Sequence, residues 1–425
     1  MLRGFHTGLT IAATIAVGIF LMPGIVAAQE AHAFGICTDS LNAPSPPDLR
    51  FGRSAAVLDV ETGTLLYEFR SDELWPPASL TKLVTIYSAL VAAEEGRFSL
   101  REPEPVHPAA YASAVPPGSS LMFLGPNQAV NGEDLLRGLA ISSGNDAAVE
   151  VALRVSGSVS AFSGRMNQVM QDLGYSSFYF EEPAGLSPAN RINAAGFARF
   201  AAELVRRWPW VTERLFNLRE FTYPEAQHYP AGYHGGAIRQ FNRNGMVGSY
   251  DGADGLKTGF IDESGYNLAA TAQRNGRRLI VVVLGVQAGN HALGGERREY
   301  DAVRLMDWAF EQYETVRLQS PRPQMVTVWG GRERSVALSV APVPAVVVPR
   351  GASGAIEGRF DQPEDLWAPL QEGQQVGTVT YHVEGCTVQT VPVTVASSVE
   401  EAGAVRRLVD RLRWWWEGQI GRASC

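Results

Sequence analysis

The sequence predicts an α+β fold followed by a small all-β domain and a terminal amphipathic helix. Three observations carry this. Strand patterns at residues 51–68 and 253–286 bracket a mainly helical stretch at 132–220. From Met325 to about Ala396, short Val/Thr-rich runs alternate with Gly and Pro, with no competing helical period. From Ser398 to Trp416, apolar residues recur at helical spacing with arginines beside them.

The elements follow in order. The runs 55–60 and 64–69 flank the turn Glu61-Thr62-Gly63 as a hairpin. Pro76 and Pro77 break the chain before a helix marked by Leu80, Leu83, Val84, Tyr87, Leu90 and Val91. Leu135, Leu136 and Leu139 lead into a break at Ser142-Ser143-Gly144-Asn145, after which 147–155 restarts a helix. Phe162, Met166, Val169 and Met170 mark another helix, and residues 194–206 a third. The runs 265–272 and 278–285 enclose Arg274-Asn275-Gly276, and Asn-Gly is a strong hairpin signal. Residues 299–316 are expected to be helical, and Pro321-Arg322-Pro323 reads as a linker.

At 425 residues with 45% hydrophobic and 19% charged content, the chain has material for a core and for more than one domain. Its formal net charge is −8, and it lacks zinc-knuckle spacing and a phosphate-cradling Gly-rich loop. No nucleic-acid partner, metal or cofactor is expected.

Residues 1–28 read as a secretory signal peptide. Arg3 provides the positive start, 8–22 is an uncharged apolar run, and Val26-Ala27-Ala28 offers small residues for cleavage. Gly35-Ile36 before Cys37 does not give a lipobox. The export compartment permits a Cys37–Cys386 disulfide, but nothing in the sequence brings the two together, so free thiols stay open. In the last segment, Ala402, Val405, Leu408, Val409, Leu412, Trp415 and Trp416 line one helix side, flanked by Arg406, Arg407, Arg411 and Arg413. A Trp-bearing apolar face edged by arginine suits a helix lying in a lipid interface. A helix packed on protein is the alternative.

The chain has two lysines, Lys82 and Lys257, and otherwise uses arginine. Arginine cannot give up its proton in a protein, whereas lysine can when burial lowers its pKa. Ser79 and Lys82 stand three residues apart at a helix start and so share a face, where a neutral Lys82 could take the Ser79 proton. Ser143 and Asn145, at a helix break, offer a hydroxyl and an amide. Lys257, Thr258 and Gly259 offer an ammonium, a hydroxyl and room for close approach to a strand edge. Each motif alone is weak. Ser-x-x-Lys, Ser-x-Asn and Lys-Thr-Gly in this order are strong together, as the trio of penicillin-binding proteins and class A β-lactamases.

The matching stretches extend beyond the trio. They are Pro77-Ala78-Ser79-Leu80-Thr81-Lys82, Ser142-Ser143-Gly144-Asn145-Asp146, Pro183-Ala184-Gly185-Leu186, Asn242-Arg243-Asn244 and Asp254-Gly255-Leu256-Lys257-Thr258-Gly259. Through them the chain resembles the D-alanyl-D-alanine carboxypeptidases of the low-molecular-mass penicillin-binding proteins. The resemblance implies a penicillin-binding/β-lactamase-like transpeptidase domain, an antiparallel sheet flanked by helices with a helical subdomain, over residues 45–318. An all-β accessory domain is expected over 324–396 and a membrane-associating helix over 398–417.

The resemblance also implies roles. Ser79 would be acylated with Lys82 as its base, and Ser143 and Asn145 would assist proton transfer and positioning. Lys257, Thr258 and Gly259 would line the far side of the cleft. The N–H groups of Ser79 and Phe260 would form an oxyanion hole, and Arg298 would stand near the substrate's terminal carboxylate. Phe260 stands where some relatives have His. Glu182 stands where the family often has Asn and reads as structural, although class A β-lactamases use a glutamate in a comparable region.

The implied substrates are peptidoglycan stem peptides ending in D-Ala-D-Ala, with β-lactams as covalent inhibitors. The implied location is periplasmic, on the outer face of the cytoplasmic membrane. A β-lactamase or DD-endopeptidase of the same fold, or an inactive cell-wall-binding scaffold, are the alternatives.

Overall fold

The computed structural model describes residues 44–231, 235–319, 325–361, 365–383 and 385–422. The expected signal peptide, Cys37 and the Pro321–Pro323 linker lie outside the described residues.

Strands β1 (Ser54–Asp59) and β2 (Leu65–Phe69) form the expected hairpin. Helix α1 (Thr81–Glu94) follows a one-turn 3₁₀ segment at Ala78–Leu80. A short pair, β3 (Glu104–Pro105) and β4 (Ala129–Val130), precedes the helices α2 (Gly132–Arg137), α3 (Asn145–Ser156), α4 (Val159–Asp172) and α5 (Ala194–Arg207). Between α2 and α3 the chain makes a wide π-type turn, Gly138–Ser142, ending on Ser143 in the left-handed region (φ 59°). The strands β5 (Glu220–Thr222) and β6 (Arg239–Phe241) then pair with each other.

Strands β7 (Ala253–Ile261), β8 (Gly265–Arg274) and β9 (Arg277–Val286) complete an antiparallel sheet of order β2-β1-β9-β8-β7. Asn275 (φ 50°) and Gly276 (φ 81°) turn between β8 and β9, as the Asn-Gly signal predicted. The long apolar run of β9 has a simple cause, since both faces of the sheet are covered. Ile280, Val282 and Leu284 pack toward the helices α1–α5, and Leu279, Val281 and Val283 pack against α6 (His291–Gln312).

Helix α6 corrects the expectation of a helix over 299–316. It begins eight residues earlier, with Asn290 capping Leu293 N–H, and ends at Gln312. Its end is set by tertiary pairing, because residues 313–317 form strand β10 (Tyr313–Arg317).

The all-β region contains β11 (Met325–Trp329), β12 (Ser335–Val340), β13 (Ala345–Pro349), β14 (Ile356–Asp361), β15 (Asp365–Trp367), β16 (Gln375–Val383) and β17 (Cys386–Val395). Six of them form the sheet β14-β16-β17-β12-β11-β15, and β13 pairs with β10. Inward valines and leucines build its own core. Cys386 is disulfide-bonded, which answers the thiol question for that residue.

The terminal helix α7 covers Ala404–Arg422. Residues 398–403 are not helical as expected. Val399 bridges to Leu370, Glu401 bridges to Gly331, and Ala402 is buried against the β domain. The edge of that domain therefore extends to residue 402. On α7 itself, Asp410 and Trp414 touch the domain at Gly330 and Trp367. Val405, Leu408, Val409, Leu412, Trp415 and Trp416 are exposed.

Candidate active site

Ser79 lies in the 3₁₀ turn that opens α1, half-buried at the mouth of a cleft. The turn is held by distant parts of the chain. Asn267 Nδ2 donates to Pro76 O, and Trp75 N–H donates to Ile192 O. Ala78, next to Ser79, adopts a left-handed backbone (φ 49°), a conformation a non-glycine residue keeps only when its surroundings impose it.

Lys82, the second residue of α1 and one turn beyond Ser79, is fully buried (0% exposed) and points back to the nucleophile turn. Its Nζ donates to Ser79 Oγ (3.0 Å), to Asn145 Oδ1 (2.8 Å) and to the Ala184 carbonyl. Burial depresses its pKa to about 7, with Arg243 acting in the same direction and Glu182 and Asp146 opposing it. The amine beside Ser79 is thus poised to take a proton near neutral pH.

Ser143 and Asn145 line the same cleft from the turn into α3. Neighbouring Asp146 ties down the segment that follows the cleft-lining residues Gly118, Ser119 and Ser120. Its buried carboxylate accepts from the N–H groups of Met122, Phe123 and Leu124 (2.8, 2.8 and 3.0 Å) and of Ala147 (2.9 Å). Burial pushes the Asp146 pKa up, and these N–H donors hold it down.

Strand β7 forms the other wall, with Thr258, Gly259 and Phe260 lining the cleft. Gly259 has a steric reason: a Cβ there would lie 2.7 Å from Pro77 O and 3.0 Å from Ser79 N. Glycine alone lets the strand edge close on the nucleophile turn. Phe260 stacks on Tyr266 (4.3 Å between ring centroids) and meets His291 edge-on (4.8 Å).

Lys257 departs from expectation. It does not stand in the cleft as an open ammonium. It is 1% exposed, and its Nζ donates to Thr258 O (3.1 Å). Burial lowers its pKa far below the usual lysine range, with Lys82, Arg243 and Arg298 adding to this. Neighbours on α1, the Arg243 turn and α6, distant in sequence, set that environment.

Arg298, from α6, lines the cleft, and its Nη2 donates to Arg243 O (3.2 Å). Its buried Nε has no protein acceptor among the described residues. Sequence reasoning assigned no role to Arg243, which also lines the cleft. Flanking asparagines present it: Asn242 Nδ2 donates to the Phe216 and Leu218 carbonyls, and Asn244 Oδ1 accepts from Met246 N–H. The Asn-Arg-Asn motif was the available signal.

Glu182 lies in a loop behind Lys82. Its carboxylate accepts from the N–H groups of Ala184 (2.7 Å), Gly185 (2.6 Å), Leu186 (2.7 Å) and Ser187 (3.2 Å). With its acceptor sites engaged it shapes the Pro183–Leu186 loop, which agrees with the structural reading. Gly185 (φ 82°) brings that loop against the nucleophile. A Cβ there would stand 1.9 Å from Ala78 O and 2.9 Å from Ser79 N.

The structure therefore brings Ser79, Ser143, Asn145, Thr258, Gly259, Phe260 and Arg298 around one cleft, with Lys82 and Lys257 buried beneath it. A hydroxyl beside a largely desolvated amine, facing a strand edge and two arginines, suits acyl transfer from an anionic peptide.

Residues 41–288 match the family described as D-alanyl-D-alanine carboxypeptidase, and residues 313–401 match the penicillin-binding protein 5 C-terminal domain. The D-alanyl-D-alanine carboxypeptidase DacC of Escherichia coli is 33% identical over 365 residues, 84% of this chain and 86% of that protein. The crystal structure of penicillin binding protein 5 from Haemophilus influenzae superposes with a TM-score of 0.74 at 30% identity, covering 84% of this chain and 100% of that one. Penicillin-binding protein D2 of Listeria monocytogenes, solved with cefotaxime bound, is 28% identical with a TM-score of 0.52. It covers 62% of this chain and 99% of its own. With the motifs assembled in one cleft and the family match spanning more than half its length, the chain belongs to the D-alanyl-D-alanine carboxypeptidase family.

Proposed function

We propose that Ser79 is the nucleophile with which this serine-type D-Ala-D-Ala carboxypeptidase removes the terminal D-Ala of a stem peptide. The observation that carries the assignment is the 3.0 Å contact from Lys82 Nζ to Ser79 Oγ, with Lys82 depressed to about pH 7. Neutral Lys82 takes the Ser79 proton as Oγ attacks the carbonyl between the two D-alanines. The developing oxyanion lies between the N–H groups of Ser79 and Phe260, with the α1 N-terminus adding positive potential. The terminal D-Ala leaves with the proton that Lys82 took, and water then releases the acyl group from Ser79 Oγ.

Asn145 holds Lys82 and faces the substrate backbone, and Ser143 relays the proton to the leaving amine. Thr258 and Arg298 meet the terminal carboxylate, and the free Nε of Arg298 supports that role. Lys257 acts from beneath as a source of positive potential when protonated. β-Lactams would acylate the same serine, in line with the cefotaxime-bound Listeria relative.

The test is labelled penicillin with wild-type protein and with Ser79→Ala. Covalent label is expected only on the wild type, and equal labelling would sink the assignment. A fast β-lactamase reading draws no support from Glu182, whose carboxylate is taken up by backbone donors.

Location is part of the proposal. The protein acts in the periplasm, held to the outer face of the cytoplasmic membrane by α7. Support comes from the exposed face formed by Val405, Leu408, Leu412, Trp415 and Trp416, since an unpartnered apolar face with Trp suits a lipid interface. Among the described residues, no helix is long and apolar enough to cross a membrane. Removing residues 404–425 should abolish co-flotation with anionic vesicles while penicillin labelling persists. Unchanged flotation would refute the anchor.

A further inference from the structure

We propose that His291 is a specificity-determining residue that hydrogen-bonds the acyl-donor part of the substrate, the stem-peptide segment preceding the two D-alanines. The inference rests on the substrate direction given above. Strand β7 runs from Thr258, at the terminal carboxylate, to the Phe260 N–H at the scissile carbonyl, and then to Ile261. The acyl donor therefore continues past Phe260 toward Ile261, Tyr266 and His291, which line that end of the cleft.

His291 opens α6 and is well positioned for such a contact. It stands seven residues before Arg298, so the two share a face of α6 and are separated by roughly 10 Å along its axis. Arg298 lies at the carboxylate end, and His291 lies against Phe260. Its ring meets Phe260 edge-on at 4.8 Å between centroids, and Nδ1 shares a 3.1 Å hydrogen bond with the Tyr266 hydroxyl. When that hydroxyl donates to Nδ1, the ring proton sits on Nε2. Nε2 has no protein partner among the described residues and the ring is exposed. A donor held by Tyr266 and Phe260, with a free N–H, then lies at the path of the peptide, suited to a carbonyl or carboxylate oxygen.

The residues between β9 and Arg298 offered no motif, which is why sequence reasoning passed over this histidine. Phe260 occupies the position after Lys-Thr-Gly with a ring that cannot donate a hydrogen bond. His291 brings an imidazole to the same corner from a different element.

The test compares two substrates, an N-acetylated stem pentapeptide and N-acetyl-D-Ala-D-Ala, which lacks the segment His291 would meet. In His291→Phe, kcat/KM for the pentapeptide should fall by about tenfold, mainly through KM, as expected for one lost hydrogen bond. Hydrolysis of the short substrate should hold to within about twofold, since no contact to it is removed. Tyr266→Phe removes the hydroxyl that sets the tautomer and keeps the ring stack. It should show the same selective loss, and it serves as the second variant if His291→Phe folds poorly. A proportional loss on both substrates, or no loss on the pentapeptide, would overturn the proposal. Ser79→Ala must turn over neither substrate. Residual turnover there would refute the nucleophile assignment, a result separate from the outcome for His291.

Discussion

Lys82 donates to Asn145 Oδ1 at 2.8 Å, joining α1 to the first residue of α3 through a buried amine. Ser79 Oγ lies 3.0 Å from the same nitrogen. The bond to Asn145 therefore helps set where the base stands relative to the nucleophile, and burial of that bond keeps the amine readily deprotonated.

The first prediction concerns the base. If neutral Lys82 takes the Ser79 proton, kcat/KM should fall below an acid limb near pH 7, the depressed pKa of Lys82. Lys82→Arg keeps a cation and loses the base. Acylation by penicillin should slow about 10²–10⁴-fold at every pH. A Lys82→Arg enzyme with near-normal acylation would refute the argument.

The same residue predicts a pH-dependent stability. Its folded pKa of about 7 lies below the usual 10.5. Below about pH 7 both folded and unfolded chains carry the charge, and burying it costs the most. Between about 7 and 10.5 the unfolded chain keeps the proton and the folded chain does not, so stability rises with pH. Lys82→Met should therefore gain stability most in acid and progressively less toward pH 10, as read from urea midpoints. A gain that grows with pH would contradict the sign.

Glu182 raises the Lys82 pKa through its negative charge while its oxygens bind backbone N–H groups. Glu182→Gln should therefore move the acid limb of kcat/KM to lower pH, with a loss of stability from the weakened loop. A shift to higher pH would be inconsistent with this arrangement.

Gly185→Ala should remove most activity. The new methyl would meet Ala78 O at 1.9 Å, a backbone atom that cannot turn aside as a flexible side chain could, and the φ of 82° is unfavourable for alanine. Penicillin acylation should fall sharply while the β domain stays folded. Unchanged acylation would mean the loop moves freely.

Asp146→Ala removes the acceptor for four N–H groups, those of Met122, Phe123, Leu124 and Ala147. Leaving buried donors unmet should cost about 3 kcal/mol or more. A change in the unfolding midpoint below about a third of that would show that this segment holds by other contacts.

Several parts of this arrangement were readable from local pattern. Ser79 and Lys82 share a helix face because three residues make nearly one turn. The β8–β9 hairpin follows from Asn275-Gly276, and the apolar face of α7 from its spacing, although its exposure does not. Other parts needed distant partners. The end of α6 moved to Gln312 because residues 313–317 pair with β13, and residues 399–402 are extended because they pair along the β domain. Neither pairing leaves a periodic trace in its own segment.

By itself the sequence determined most of the element types, the Ser79–Lys82 spacing and the set of motifs, since backbone period and turn chemistry act over a few residues. Tertiary structure alone decided how those groups are solvated and with whom they bond. Lys257, legible as a lysine beside Thr258, became a buried amine near Lys82 and Arg243. Glu182 became a loop anchor, and His291 came to the cleft. Burial and long-range hydrogen bonding depend on neighbours dozens or hundreds of residues away, and only the folded chain brings these together.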